Sequence, residues 1–337
     1  MDIDHQPHRI PELWFEDGNI VIQAGNSQFR VHRGILAACS PVFQDMLTFP
    51  QPPESELLEG CPLVRMPDHP NEVAVFLKAI FKPDYFRPFP GDTEYFIVQG
   101  CLRLGHKYGV EHLRLRALVH LSSSYRTTMT EWDMAGEGEP AEQALSMMIS
   151  WGNPAESTFR ISAIQLAREV DALWILPMAF YDLALYPMEA TVASLMHGAS
   201  FNGVPISLSV QDQANFFVGH AKQIHASSID ILKFLSTPLD ESGCISPADC
   251  CTMRLRAVES LRQNMQEYPA MPLDVWGEGD WEVLDDICSV CLASLKSAHR
   301  AARQAFWDRM PEMYNLPPRE ELERMKVAAL GAHWWRS

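Results

Sequence analysis

The fold of the amino-terminal part is decided by residues 17–47, DGNIVIQAGNSQFRVHRGILAACSPVFQDML. Residues 20–22 form an apolar run that predicts a first strand, and the turn residues Gly25 and Asn26 tolerate positive φ. Apolar and polar side chains alternate over residues 28–31, which predicts a second strand. The two strands and the turn together predict a β-hairpin.

Two short helices are predicted after this hairpin. The apolar residues 35–38 indicate the first helix. Ser40 can cap a second helix, whose first position suits the fixed φ of Pro41. The apolar face of this second helix consists of Val42, Phe43, Met46 and Leu47. The order strand, turn, strand, helix, helix predicts an α+β domain.

This order of motifs resembles the opening of a BTB/POZ domain, above all in Phe-x-Val-His-Arg followed by Leu-Ala-Ala-x-Ser-x-x-Phe-x-x-Met. Residues 62–68 resemble the third strand of that domain, Asn71 can cap the next helix, and residues 95–115 resemble the closing helix pair. The resemblance covers residues 10–122. It implies a three-stranded sheet with flanking helices and a role in protein interaction.

The rest of the chain divides into a linker and a helical region. Residues 123–140 are rich in Ser, Thr, Gly and acidic side chains, so we interpret them as an acidic linker. Residues 141–330 show helix starts and helical spacing without a convincing strand, which predicts an all-helical region of unknown function. The segments 166–184 and 307–322 resemble the carboxyl-terminal part of a large fungal (mushroom-type) group of BTB-containing proteins, and this resemblance implies no defined activity.

Composition disfavours several classes of partner. The 27 Lys and Arg against 43 Asp and Glu give a formal net charge of −16, whereas binding to nucleic acid needs clustered positive charge. The sequence lacks a secretory start and has no apolar run long enough to cross a membrane. We therefore expect an intracellular protein of the cytoplasm or nucleus, with no direct nucleic-acid and no membrane partner.

Among the eight cysteines, the pairs Cys250-Cys251 and Cys288-x-x-Cys291, followed by His299, raise the question of a metal site. Cys288 and Cys291 fall on a predicted helix whose apolar stripe starts at Trp281, and such a seam accommodates small buried cysteines. His299 lies too far along the same helix to share a metal ion with both of them. Core packing is therefore favoured, and no metal or cofactor is assigned. A metal site stays open if Cys251 approaches Cys288 and Cys291 in the fold.

The sequence contains none of the common catalytic motifs, including the nucleophile elbow, the zinc-protease motif and the phosphate-binding glycine loops. We interpret Glu169 and Asp171 as a solvated helix face and His32 as a structural residue, so no catalytic residue is assigned. The favoured hypothesis is a non-enzymatic protein–protein interaction adaptor that acts through a BTB domain as a homodimer. The alternative is a metal-binding or hydrolytic helical domain that the BTB domain assembles.

The resemblance implies that dimers form through the first helices and the amino-terminal segment. In that segment Leu13, Trp14 and Phe15 are large apolar side chains that predict a surface for self-association. The alternative is that Trp14 and Phe15 fold back onto their own domain. BTB transcription factors carry a charged pair near the dimer interface. Arg33 matches its basic member, and Asp17 is the candidate acidic member, displaced by two residues from the family pattern.

Two partners known for BTB proteins fit this sequence poorly. Cullin-binding domains follow the second helix with a short apolar-x-Glu element, whereas residues 48–53 here are proline-rich. The nearest match is Leu57-Leu58-Glu59, beyond those prolines, which makes cullin binding doubtful. BTB transcription factors usually add zinc fingers, and this chain has no second histidine pair to complete one.

Overall fold

The structure, a computed structural model, describes residues 7–48, 56–136, 156–236, 243–267 and 270–331. Its amino-terminal part is built on a curled sheet. The strands of that sheet are β1 His8–Trp14, β2 Ile20–Ala24, β3 Ser27–Val31, β4 Leu57–Leu58 and β5 Cys61–Met66. They are arranged side by side in the order β1-β3-β2-β5-β4.

The predicted hairpin and third strand are confirmed. β2 and β3 are antiparallel with Ala24 opposite Ser27, and Gly25 adopts a φ of 51° in the two-residue turn. β2 also pairs in parallel with β5. The alternation along the hairpin places five side chains in the hydrophobic core, namely Ile20, Ile22, Ala24, Phe29 and Val31.

The sheet has five strands rather than the three that we predicted. β1 runs parallel to β3 at one edge, with an irregular register between Arg9 and Trp14, and β4 pairs with β5 at the other edge. Pro11 suits an edge strand, because proline has no backbone N–H to donate to a neighbouring strand. The sequences of the two edge strands show no regular alternation of apolar residues. They form strands because their backbones pair with the inner strands β3 and β5.

The helices that flank the sheet are α1 Arg33–Cys39, α2 Pro41–Thr48, α3 Pro70–Phe81, α4 Tyr95–Tyr108 and α5 Glu111–Ser123. Ser40 begins α2 as predicted, because its Oγ accepts a hydrogen bond from the backbone N–H of Phe43 at 3.0 Å. Gly109 ends α4 with a φ of 65°, which glycine adopts without steric cost. The predicted α+β class of this part is confirmed.

The carboxyl-terminal part is mostly helical, as predicted. Its helices are α6 Met129–Gly136, α7 Ser157–Glu169, α8 Leu176–Ala184, α9 Met188–His197, α10 Val210–His225, α11 Lys233–Ser236, α12 Pro247–Glu267, α13 Ser289–Met313 and α14 Arg319–Leu330. Short 3₁₀ segments at Leu173–Ile175 and Glu278–Leu284 and a π-helical turn at Ala226–Asp230 lie between them. Within the described ranges, none of these helices combines the length and the apolar character that crossing a bilayer requires.

One hairpin corrects the expectation of an all-helical region. β6 Ala199–Phe201 and β7 Val204–Ile206 pair around Asn202 and Gly203, whose φ angles are 50° and 79°. Positive φ at both turn residues is the geometry that an Asn-Gly pair favours. The hairpin therefore has a local sequence signal, which the strong helical patterns on both sides of it outweighed in our prediction.

The structure also differs from the acidic linker predicted at residues 123–140. Its central part forms α6, where Trp132 packs edge-on against Tyr181 with ring centroids 5.5 Å apart. In the same helix Asp133 pairs with Arg303 at 2.8 Å. Packing of the tryptophan outweighs the polar composition, so the segment up to residue 136 is a packed element. Residues 137–140 lie outside the described residues.

The two predicted domains share one hydrophobic core across their boundary. Tyr95 of α4 forms a hydrogen bond with Ser162 Oγ at 3.0 Å and packs edge-on against Phe159 of α7 with ring centroids 4.6 Å apart. Trp174 Nε1 donates to Ser122 Oγ at 3.1 Å. The predicted boundary at residue 122 therefore does not separate two independent cores.

A second, smaller core brings together α11, α12 and the start of α13. Its aromatic centre is formed by Phe234, Trp276 and Trp281, with the ring centroids of the two tryptophans 5.2 Å apart. Cys250 and Cys291 are buried in the same cluster. The cysteines of this region thus lie in a small aromatic core away from the sheet.

Candidate interaction surface and cysteine cluster

The helix pair α1–α2 leaves apolar side chains in contact with solvent. Its buried residues are Leu36 in the first helix and Phe43 and Leu47 in the second. On the outer sides Ile35 is 42% exposed and Val42 is 43% exposed. Ile35 lies in α1 and Val42 lies in α2, and apolar side chains left exposed on neighbouring helices are candidates for an interaction surface. We call Ile35 and Val42 the α1–α2 face.

The amino-terminal apolar cluster packs largely within its own chain. Leu13 is 0% exposed and belongs to the main core, which corrects the prediction that it lies on an interaction surface. Phe15 packs against Phe81 with ring centroids 5.6 Å apart, as in the fold-back alternative. Trp14 is half-buried beneath the guanidinium of Arg9, which lies 4.4 Å from the ring centroid. Because β1 joins the sheet, it carries Leu13 onto the core.

The two charged candidates occupy different environments. Asp17 is exposed, and its Oδ1 lies 3.5 Å from Nε2 of His32. Arg33 donates from Nη2 to the carbonyl oxygen of Leu47 at 3.2 Å, and its backbone N–H donates to Asn19 Oδ1 at 2.9 Å. Arg33 thus ties α1 to the end of α2. Within the part of the chain that the structure describes, no ion pair joins Asp17 to Arg33.

The apolar-x-Glu candidate for cullin binding lies at a strand end. Leu57 and Leu58 form β4, and Glu59 follows with a φ of 51°. The Glu59 carboxylate pairs with Arg9 and lies 3.6 Å from Arg30, so it faces arginines of its own chain. The proline-rich residues 49–55 lie outside the described residues.

A comparison with protein families matches residues 15–67 to the model of the BTB/POZ domain. Residues 15–67 are a BTB/POZ domain. The match contains the hairpin, the helix pair α1–α2 and β5, which carried most of the resemblance in the sequence. It ends before α3, so the wider boundary at residue 122 and the fungal group stay predictions. The comparison with curated proteins and the comparison with solved structures give no match.

Outside the BTB/POZ domain, four cysteines meet in the smaller core. The Sγ atoms of Cys244, Cys250, Cys288 and Cys291 all lie within 4.8 Å of one another. Cys244 precedes α12 and Cys250 lies in its first turn, while Cys288 caps α13 and Cys291 lies in its first turn. The amino-terminal ends of α12 and α13 therefore contribute two cysteines each to the cluster.

The prediction of one continuous helix through Trp281 and Cys288 is wrong. Trp281 lies in a 3₁₀ segment, Cys288 has an extended backbone with φ −65° and ψ 150°, and α13 begins at Ser289. Cys288 accepts a hydrogen bond from the backbone N–H of Cys291 and so acts as the amino-terminal cap. A cap residue has non-helical backbone angles, so a helix cannot continue through it.

The remaining candidates of this region lie beside the cluster. Cys251 is exposed, because it follows Cys250 by one position and the helix turns its side chain by about 100°. His299 is buried against Phe234 and Trp281, with ring centroids 5.2 Å and 5.5 Å away, and burial lowers the pKa of His299 to about 4. His299 is thus packed among aromatic rings, and it is not part of the group formed by Cys244, Cys250, Cys288 and Cys291.

Cys244 is the member of the cluster that sequence reasoning missed. The available signal was a Cys-x₅-Cys pair at residues 244–250 together with the Cys-x₂-Cys pair at residues 288–291. Two close pairs separated by a longer segment are typical of metal sites. Our prediction paired Cys250 with the adjacent Cys251 rather than with Cys244, and therefore missed the fourth sulfur of the cluster.

Backbone N–H groups donate to the sulfur atoms of this cluster. Cys291 N–H donates to Cys288 Sγ at 3.4 Å, and Cys288 N–H donates to Cys250 Sγ at 3.5 Å. Several hydrogen bonds, foremost the one from the Cys291 backbone N–H, lower the pKa of the Cys288 thiol to about 6, whereas burial raises the pKa values of Cys250 and Cys291. Four thiolates at these distances would repel one another, and a bound cation would compensate their charge.

The carboxylates considered for acid–base chemistry have structural positions. Glu169 accepts a hydrogen bond from Arg103 Nε at 2.6 Å, and Arg103 also pairs with the buried Glu72. Burial raises the pKa of Glu72, and the charge of Arg103 opposes this effect. Asp171 is exposed, with a φ of 57° just after α7. Glu169 is thus not merely solvated, since it belongs to a charge network that joins α3, α4 and α7.

Proposed function

We propose that this chain is a non-enzymatic protein–protein interaction adaptor that self-associates through its BTB/POZ domain. The observation that carries the proposal is the BTB/POZ match at residues 15–67, which includes the α1–α2 face. BTB/POZ domains are generally interaction modules rather than enzymes, which supports the non-enzymatic role. The helical part then offers a separate surface for further protein partners.

The α1–α2 face is the surface that we assign to self-association. Burial of apolar side chains there would stabilise a dimer by about 25 cal/mol per Å² before the entropy cost of association is subtracted. Trp14, Asp17 and Arg33 complete the proposed surface, because Trp14 is only half-buried and the other two are exposed. Leu13 is excluded from it, since its side chain is buried in the core.

The partners that we propose are proteins. A formal net charge of −16 disfavours a phosphate backbone, and the orientation of Glu59 toward Arg9 and Arg30 argues against a typical cullin contact. None of the eight cysteines is in a disulfide, which supports a reducing compartment such as the cytoplasm or nucleus.

Sedimentation of the full chain tests the self-association. We expect a dimer at micromolar concentrations, and we expect the double variant Ile35→Asp, Val42→Asp to be monomeric. Both substitutions place a carboxylate in the first turn of a helix, where it interacts favourably with the helix dipole, so the fold should persist.

Val192→Asp is the matched control, because Val192 is 39% exposed on α9 in the helical part. It should remain dimeric. A monomeric wild-type chain at these concentrations would contradict the proposal, and so would equal dissociation of the control variant.

A further inference from the structure

We propose that Cys244, Cys250, Cys288 and Cys291 bind one Zn²⁺ ion in a closed tetrahedral site that stabilises the smaller core. The observation behind this proposal is the convergence of four sulfur atoms from two helix starts. The site lies outside the BTB/POZ domain and does not depend on the proposed adaptor function.

The distances between the sulfur atoms fit a tetrahedral metal site. With a Zn–S bond of about 2.3 Å, a regular tetrahedron places its sulfur atoms about 3.8 Å apart. Cys288 Sγ lies 3.9 Å from Cys244 Sγ, and all four sulfur atoms lie within 4.8 Å of one another. A disulfide needs its two sulfur atoms about 2.0 Å apart, and all four cysteines are free. The arrangement therefore favours a shared ligand over a covalent pair.

The ligand type indicates the class of metal and its role. Thiolates prefer Zn²⁺ and other soft cations, whereas Mg²⁺ and Ca²⁺ take oxygen ligands. Four cysteines complete a tetrahedral shell and leave no position for water or a substrate, which is typical of structural zinc sites. This closed shell supports the metal-binding form of the alternative drawn from the sequence and gives no support to its hydrolytic form.

The surroundings of the sulfur atoms suit a negatively charged centre. One Zn²⁺ with four thiolates carries a net charge of −2, which needs hydrogen-bond donors nearby. The backbone N–H groups of Cys291 and Cys288 donate to Cys288 Sγ and Cys250 Sγ, respectively. Both groups lie at the start of α13, and the positive end of a helix dipole stabilises negative charge.

The position of the site indicates what the metal would stabilise. Cys244 and Cys250 belong to the start of α12, and Cys288 and Cys291 belong to the start of α13. A metal between the pairs would therefore cross-link two segments that are far apart in sequence. The second core is small compared with the main core, and small cores are commonly supported by a bound metal.

Metal analysis of the full chain tests the site. We expect one zinc per chain, by elemental analysis and by native mass spectrometry, after purification under reducing conditions. Exchange with Co²⁺ should produce the sulfur-to-cobalt absorption of a tetrahedral thiolate site. Cys250→Ser and Cys291→Ser should each lose the bound zinc. Cys251→Ser is the matched control and should keep it, because Cys251 is adjacent in sequence but exposed and outside the cluster.

Because a variant that fails to fold would also lose zinc, the wild-type chain provides a second test. Removal of zinc by a strong chelator should lower the melting temperature, and Zn²⁺ but not Mg²⁺ should restore it. A wild-type chain that contains no zinc and takes up neither Zn²⁺ nor Co²⁺ would overturn the proposal. Disulfides among these cysteines, iron in place of zinc, or equal zinc loss in Cys251→Ser would overturn it too.

Discussion

Charged side chains are partly buried where helices of the carboxyl-terminal part meet, and Asp182 is one of them. Asp182 of α8 lies 3.6 Å from Arg160 of α7, and its side chain is 19% exposed. Burial raises the pKa of Asp182 to about 6, and the charges of Arg160 and Arg126 oppose this effect. The ordinary value is 3.8, so between these two pH values the folded chain binds more protons at this carboxyl than the unfolded chain does.

Asp182→Asn should therefore change how stability depends on pH. Protonation of Asp182 adds to the free energy of unfolding. This addition is complete below about pH 4 and is lost as the pH rises through about 6. On acidification from about pH 7 to about pH 4.5, the wild type should gain on the order of 1 to 3 kcal/mol relative to the variant. Urea unfolding of both proteins at both pH values measures this difference. The prediction would be wrong if the difference in free energy of unfolding between the two proteins were the same at both pH values, or if acidification favoured the variant. Either result would show that the pKa of Asp182 is not raised in the folded chain.

At the scale of secondary-structure elements, α10 packs closely against Tyr314, the residue that ends α13, and this contact requires a glycine at position 219. A Cβ atom at Gly219 would lie 2.2 Å from Cδ1 of Tyr314. The Tyr314 ring stacks on Phe180 with centroids 5.0 Å apart, and its hydroxyl donates to Gln223 Oε1 at 2.6 Å. These contacts hold the ring in place, so the helix backbone can approach it only at a residue without a side chain.

Gly219→Ala should destabilise the chain by about 2 kcal/mol or more, even though alanine favours helices, because the new methyl group overpacks the ring. Gly34→Ala in α1 is the matched control, since a Cβ there meets nothing within 4 Å. That variant should be neutral or more stable by up to about 1 kcal/mol. Denaturant unfolding of the full chain measures both effects, and equal effects would refute the packing explanation.

At the scale of the whole molecule, the segment between α5 and α7 is part of the packing as far as residue 136. The guanidinium of Arg126 lies 5.3 Å from the Trp132 ring centroid, and the same ring packs against Tyr181. Lys326 of α14 donates from Nζ to Thr127 Oγ1 at 2.7 Å. The carboxyl-terminal helix is thus attached to the segment that directly follows the amino-terminal part.

Limited trypsin digestion of the full chain should therefore cleave slowly after Arg126, because cleavage requires local unfolding of this segment. Trp132→Ala should accelerate that cleavage several-fold by removing the ring that holds the segment. Met134→Ala, in the same helix and 57% exposed, should leave the rate unchanged. Mass spectrometry of the fragments identifies the cleaved bond. If the wild type were cut first and rapidly after Arg126, the result would contradict this prediction and support the linker that composition predicted.

Local signals in the sequence were enough to predict the hairpin and the α1–α2 helix pair, and the resemblance to a BTB/POZ domain that they support is matched at residues 15–67. The turn at Gly25, the cap at Ser40 and the period-two alternation each act within a few residues. Such signals are a property of the chain itself, because backbone angles and capping hydrogen bonds depend on near neighbours. The Asn-Gly pair at residues 202–203 is of the same kind, although we did not use it.

The tertiary structure alone decided the edge strands, the packing of the predicted linker and the meeting of the four cysteines. Each depends on partners that are distant in sequence, as Trp132 is from Tyr181 and Cys250 is from Cys288. The composition of residues 123–140 could not show that one tryptophan would find an aromatic partner. The apolar stripe through Cys288 could not show that its sulfur would cap a helix. Periodicity describes one element at a time, whereas burial and ligand geometry are set by the elements that meet.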